Sequence, residues 1–391
     1  VSSQLRFDFM HFMPYTAVPK DLSKYKSLWV NFPNKIYDPE KARGLYDTYF
    51  SQLELADRLG FDAIVVNEHH NTAYSMMQAP NIIAAALLNR VKRAKICVWG
   101  TPPNLEYPNR LAEEYAMLDV LSGGRLEVAF PLGTGMEYWA HPINPVTARQ
   151  RYRESLDIIL KSWKEDGPQQ YYGDFYTYRF LNPWPKPMQK PHPACYIVGT
   201  GSPETIELAA ELGFGYSAVF VTRKRALELN DKLRERSAHY GHPVRPEQLP
   251  LGVLTYVGET DAIAEKEGLE HIKYFFEVSL RTLPQFLAPP GYLSIDQLKA
   301  RAAVGDKLHG TFDFKNLEDM IFIAVGGPEK VANLIGEWAH QMGTNHINIQ
   351  GHLGDVPNWK AVKNMTLFAE EVMPRLRGKA PVSETQREAA E

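Results

Sequence analysis

Short apolar runs alternate with amphipathic runs along almost the whole chain, and no other feature limits its fold so strongly. Eight strand candidates start near residues 5, 61, 94, 125, 194, 214, 251 and 346. They read LRFDFMHF, FDAIVV, AKICVWG, RLEVAFPLG, ACYIVG, FGYSAVFV, LGVLTYVG and HINIQG. Helical spacing fills the intervals. YDTYFSQLELADRLG (46–60) stops on Gly60. PNIIAAALLNRV (80–91) and PNRLAEEYAMLDVLSGG (108–124) open on proline, and the second closes on two glycines. ARQRYRESLDIILKSWK (148–164), SPETIELAAELG (202–213), the stretch from Arg223 to His239, residues 260–280, 327–342 and 359–376 also read as helices. Strand and helix in series predict an α/β chain folded as a (β/α)8 TIM barrel. A doubly wound sheet would carry a Gly-rich turn after its first strand, and MPYTAVPKDL contains no glycine.

Two segments depart from the alternation. YYGDFYTYRF (171–180) reads as a surface hairpin, followed by the extended proline-rich run NPWPKPMQKPHP (182–193). Residues 281–320, with APPGYLS inside, read as an insertion late in the chain. The expected organisation is a single barrel domain over 1–378 and a polar flexible tail over 379–391.

Composition narrows the function. Of 391 residues, 44% are hydrophobic and 23% charged, a balance that supports a packed core. The formal net charge of −3, without a basic block, gives no support to nucleic-acid or membrane-surface binding. No apolar run approaches membrane-spanning length. VSSQLRFDFMHF is not read as a signal peptide. Cys97 and Cys195, each inside an apolar run, form no disulfide framework, so a cytoplasmic location is expected.

Chemistry in a barrel belongs at the C-terminal strand ends, and the unusual residues fall there. The second strand runs into Asn67-Glu68-His69-His70-Asn71. Strand alternation places Glu68 and His70 on one side and Asn67 and His69 on the other. Adjacent imidazoles so divided make a poor metal pair, and no metal site is expected. A single imidazole as acid, base or hydrogen-bond donor is the economical reading. A polar strand end without chemistry is the alternative.

After the fifth strand comes Gly199-Thr200-Gly201-Ser202-Pro203-Glu204-Thr205. Glycines, a capping serine and a helix start make a place for a phosphate or other anion. An ordinary helix cap without a ligand fits the same letters. PLGTGM (131–136) is a flexible turn open to either a flat ligand or a plain loop. Gly100 before Thr-Pro-Pro marks a bulge or a strained turn. Phe9, Phe12, Tyr15 and Trp99 wall an apolar pocket or belong to the core.

With these residues in place, the chain resembles the bacterial luciferase-like flavin monooxygenases over about residues 5–222 and 325–376. FDAIVVNEHHN, YPNRLAEEYAMLDVLSGGRLEVAFPLGTG, KPHPACYIVGTGSPETIELAAELG, VGGPEKVANLI and LFAEEVMPRL carry the resemblance. It implies a barrel with a late insertion, usually a homodimer. It also implies reduced FMN supplied by a separate NAD(P)H-dependent flavin reductase, and molecular oxygen as co-substrate. A flavin peroxide then oxygenates a small organic substrate.

Residue by residue, the resemblance gives Ser202 and Thr205 to the FMN phosphate, within the turn of Thr200 and Gly201. His69 matches the active-site imidazole and Glu68 its carboxylate neighbour. His70 completes this catalytic group or is structural. Gly100 lies near the family's bulge under the flavin ring, often a non-proline cis peptide. In bacterial luciferase a cysteine and a phosphate-binding arginine end the fourth strand, where this chain has Pro131 and Leu132. Arg149 is the substitute cation expected here. Rival readings are a deazaflavin-dependent hydride-transfer enzyme, a non-catalytic flavin-binding homologue and a metal-dependent hydrolase.

Overall fold

The computed structural model describes residues 4–378 apart from 26, 220, 283, 294 and 296–320. All eight expected strands are present. They are β1 (Arg6–His11), β2 (Ala63–Asn67), β3 (Lys95–Trp99), β4 (Leu126–Pro131), β7 (Ala194–Gly199), β8 (Gly215–Ala218), β9 (Leu251–Val257) and β11 (His346–His352). The expected hairpin is β5 (Gln169–Tyr172) with β6 (Thr177–Leu181), antiparallel and apart from the main sheet. With β10 (Ile323–Gly326), the main sheet is parallel, in the order β10-β9-β11-β1-β2-β3-β4-β7-β8. Removing β10 leaves the cyclic order of a (β/α)8 barrel.

The ninth member, β10 (Ile323–Gly326), was not expected. Its four letters, IAVG, are too few to show a period. It runs beside the second half of β9, from Leu254 to Val257. At the other end of the sheet order, β8 and β9 share no ladder among the described residues. There the Ser217 hydroxyl donates to the Pro250 carbonyl at 3.2 Å, and the Gln248 amide donates to Gly213 O at 3.0 Å.

The helices between strands are α1 (Pro39–Arg58), α2 (Pro80–Leu87), α3 (Pro108–Leu121), α4 (Gly135–Ala140), α5 (Ala148–Lys164), α6 (Pro203–Leu212), α7 (Arg223–His239) and α8 (Asp261–Tyr274). Helices Pro328–Met342 and Asn358–Leu367 follow β10 and β11. The expected helix over 46–60 starts earlier. Asp38 caps α1 by accepting from the Glu40 and Lys41 amides, ahead of Pro39. That first turn is polar and shows no apolar period. Most of the 281–320 insertion and the 379–391 tail lie outside the described residues.

Alternation along the strands builds two layers. Phe7, Phe9, Ile64, Val66, Val128 and Phe130 face the helices. Met10, Val65, Cys97, Ala129 and Tyr196 belong to a second, inner cluster. Near the start of β1 the interior turns ionic. Arg6 donates from Nε to Asp8 Oδ1 at 2.7 Å and from Nη2 to Glu127 Oε2 at 2.7 Å. His346 Nε2 lies 2.7 Å from Asp8 Oδ2, and its Nδ1 lies 3.0 Å from the Glu247 carbonyl. Both ring nitrogens therefore face acceptors.

Burial alone would push the Asp8 carboxyl up, but His346 and Arg6 hold it well below the usual carboxylate range. Removing one partner from a buried pair strands the others. Asp8→Ala should therefore lower the unfolding free energy by about 3–5 kcal/mol. A urea titration near neutral pH reads this, and a loss under about 1 kcal/mol, the worth of a surface pair, would refute the role. Because the folded-state value is depressed, the Asp8 contribution is full above about pH 4 and fades as pH falls through that depressed value.

Candidate functional site

At the mouth of the barrel, β2 stays in register with β3 up to the pair Asn67–Trp99. Beyond it the chain leaves the sheet. Glu68 turns inward and is buried. Its Oε1 lies 2.9 Å from His70 Nε2, and its Oε2 accepts from the Thr101 hydroxyl at 2.7 Å. Glu68 and His70 thus share a side, as alternation requires. Burial raises the Glu68 carboxyl above its ordinary value, against the pull of His70 and Thr101. Burial also lowers His70, but the Glu68 bond and charge prevail and raise it overall.

His69 takes the other side. Its Nδ1 is 3.2 Å from Glu137 Oε1. Its ring lies 4.8 Å from Tyr74 and 6.1 Å from Trp29. The His69 and His70 side chains remain 18% and 20% exposed, so this group reaches the surface by its imidazole edges. His70 also meets the ring of His141 edge-on at 4.6 Å.

Glu137 is the residue that sequence reasoning missed. It sits in α4, which six residues are too few to announce. The available signal was one carboxylate inside the bulky run GMEYWA. Among the described residues, no group of three or more His, Cys, Asp or Glu is arranged to hold a metal ion.

Gly100 holds the mouth tight. Its φ is +154°, and an added Cβ would lie 3.0 Å from the Glu68 amide nitrogen. The crowding comes from the β2 end pressed against it. Its peptide bonds are trans, because all three cis bonds among the described residues precede proline. The unusual geometry expected of this bulge is a φ open to glycine, not a cis bond. Phe12 and Trp99 join the mouth cluster with Trp29 and Tyr74, whereas Phe9 and Tyr15 pack in the outer layer.

The second group lies at the end of β7. Ser202 caps α6, its hydroxyl accepting from the Thr205 amide. The two hydroxyl oxygens are 3.0 Å apart. Gly201 has φ +87°, and a Cβ there would run into Leu229 at 2.6 Å. Its amide donates to the Tyr216 hydroxyl at 2.9 Å. Thr200 stands exposed at the turn. Pro131 pairs with Val198, so Leu132 follows alongside Gly199.

Arg149 donates to the Tyr292 carbonyl at 3.4 Å. The cation that reaches the α6 turn is Arg225, whose Nη2 lies 3.4 Å from Gly201 O. Near the mouth, the buried Thr134 hydroxyl has no partner among the described residues. A glycine cradle, two neighbouring hydroxyls, a helix start and an adjacent guanidinium fit a phosphate-bearing cofactor.

The Glu68–His70 pair carries its own test. Glu68→Gln should lower the His70 titration midpoint by removing the group that raises it. Imidazole NMR titration of the two proteins measures this, and an unchanged midpoint would refute the pairing.

A family model described as luciferase-like monooxygenase matches residues 37–346. The oxygenase component of a flavin-dependent trigonelline monooxygenase from Acinetobacter baylyi is 28% identical over 48% of this chain and 52% of its own length. The chain thus spans about half of that relative. Limonene 1,2-monooxygenase from Rhodococcus erythropolis is 25% identical, covering 87% of this chain and 86% of its own. Among solved structures, the oxygenating constituent of 3,6-diketocamphane monooxygenase from Pseudomonas putida, in complex with FMN, superposes with a TM-score of 0.72. It is 19% identical and covers 95% of this chain and 99% of its own. An F420-dependent secondary alcohol dehydrogenase reaches 0.66 at 19% identity, covering 95% and 98%. The likeness of these structures is one of fold. With the family model spanning the barrel from α1 to the start of β11, the chain belongs to the luciferase-like monooxygenase family.

Proposed function

We propose that this chain is the oxygenase component of a two-component monooxygenase using reduced FMN and molecular oxygen on a small organic substrate. The observation that carries the reading is the presence, at the strand ends of one barrel, of a paired imidazole and an anion cradle. Bound reduced FMN supplies the electrons with which one oxygen atom of O2 is transferred to the substrate. Ser202, Thr205 and the start of α6 would hold its phosphate, with Arg225 as the nearby positive charge. Phe12, Trp29, Tyr74 and Trp99 keep water from the mouth. His69, with Nδ1 engaged by Glu137, keeps Nε2 to hold or move a proton. Glu68 fixes His70 beside it.

A separate reductase is supported by the relative named as an oxygenase component. Relatives named for trigonelline and limonene differ in substrate, so neither name is carried over. The second reading, deazaflavin-dependent hydride transfer, is favoured by the F420-dependent structural neighbour. Both cysteines are free and buried, which supports a reducing cytoplasm.

A homodimer is supported by exposed apolar side chains on α2 and α3. Ile82, Met117, Val120 and Leu121 are all exposed there, and Asn81 ties the two helices by donating to Glu114 at 2.7 Å. Sedimentation should show a dimer, and Met117→Glu with Leu121→Glu should yield monomers. A wild-type monomer at micromolar concentration would refute it.

Mixing the protein anaerobically with reduced FMN and then admitting oxygen tests the main reading. Reduced FMN should bind, and its reoxidation should slow relative to free flavin. Equal reoxidation rates, or preference for the deazaflavin with no response to oxygen, would overturn it. Ser202→Ala with Thr205→Ala should weaken FMN binding about tenfold or more, the worth of hydrogen bonds to a charged group. Unchanged affinity would move the phosphate elsewhere.

A further inference from the structure

Around His69 two buried carboxylates are matched only by imidazoles. Glu68 and Glu137 are 8% and 3% exposed. Their ion-pair partners are the imidazoles of His70 and His69. Among the described residues, no lysine or arginine pairs with either. Glu68 has a donor on each oxygen. Glu137 does not: Oε1 meets His69, and Oε2 is buried without a partner among the described residues. A bare buried acceptor of this kind is costly to the fold.

The imidazole that Glu137 holds is packed among aromatic rings. The ring of Tyr74 lies 4.8 Å from His69 and 5.4 Å from Trp29. Aromatic faces attract cations, most strongly where water is excluded. The negative charge of Glu137 adds to burial in raising the Tyr74 hydroxyl, and it also raises His70. A carboxylate that acts on Tyr74, with an unspent oxygen and no guanidinium or ammonium paired to it among the described residues, recognises one chemical class well.

We propose that the mouth selects an organic cation, a substrate whose quaternary or protonated nitrogen rests against Glu137 Oε2 beside Trp29 and Tyr74. This deepens the proposed function and rests on the mouth being the active site. Glu137 then has two tasks. One oxygen orients His69, and the other selects the substrate by charge. A neutral molecule of the same shape leaves Oε2 bare and binds more weakly.

Calorimetric titration of the full chain, with and without FMN, compares choline with its uncharged isostere 3,3-dimethylbutan-1-ol. Choline should bind about tenfold more tightly. Glu137→Gln should abolish the preference, and Glu137→Asp should keep part of it. Trp29→Leu should weaken choline but not the alcohol, which keeps the test sound if Glu137→Gln fails to fold. Equal affinities, no binding of either probe, or a preference that survives Glu137→Gln would overturn the proposal. FMN titration of the same protein separates the two claims. FMN binding without choline preference sinks the cation inference alone, and choline preference without FMN binding sinks the flavin reading.

Discussion

The buried ion network near the base of the barrel is the constraint on which the rest depends. It joins the first strand to the last through Asp8 and His346, and to the fourth through Arg6 and Glu127. Apolar side chains would fill the same volume, but they would not specify which strands meet. Charged groups without water tolerate few arrangements. The network therefore fixes the level of β1 against β11 and β4. From there the ladders β11-β1-β2-β3-β4 carry the register upward to the mouth. The spacing between His69 and Glu137 is set one barrel height away from the ions that anchor it.

The two ends of the barrel treat charge oppositely. At the base, Asp8 and Glu127 receive hydrogen bonds from Arg6 on both oxygens. Such satisfaction favours rigidity and resists change. At the mouth, satisfaction is partial: Glu68 is complete, and Glu137 keeps one oxygen bare. At the same level Gly100 adds a backbone turn that only glycine takes without strain. Met13, a non-glycine residue with φ 47°, does likewise just past β1. Incomplete pairing and strained backbone cluster where a fold performs chemistry, at an expense the base can offset.

Much of this was legible from sequence because it rests on period. Ile64, Val65 and Val66 announce a strand, and alternation continued past it correctly puts Glu68 with His70 and away from His69. The cap at Ser202 was legible because its partners are three residues away. What escaped was non-local or too short. The four residues of β10 show no period, and α1 begins in a turn whose signal is Asp38-Pro39 and not apolar spacing. Glu137 is 68 residues from His69, and no local rule joins them. Arg225 is likewise invisible as a partner of Gly201 until β7 and β8 lie side by side.

The seam between β8 and β9 gives the barrel a direction of compliance. From β9 round to β7 each strand of the main sheet is held by ladders on both flanks, and parting two neighbours breaks a row of amide bonds. At this seam the described links are side-chain bonds, such as Ser217 to Pro250. The β7–β8 half carries the hydroxyl cradle, and the β1–β2 half carries the imidazoles. A cylinder slit along one line can widen without tearing its wall. The distance across the mouth can therefore adjust to what is bound, while the ionic base keeps its shape.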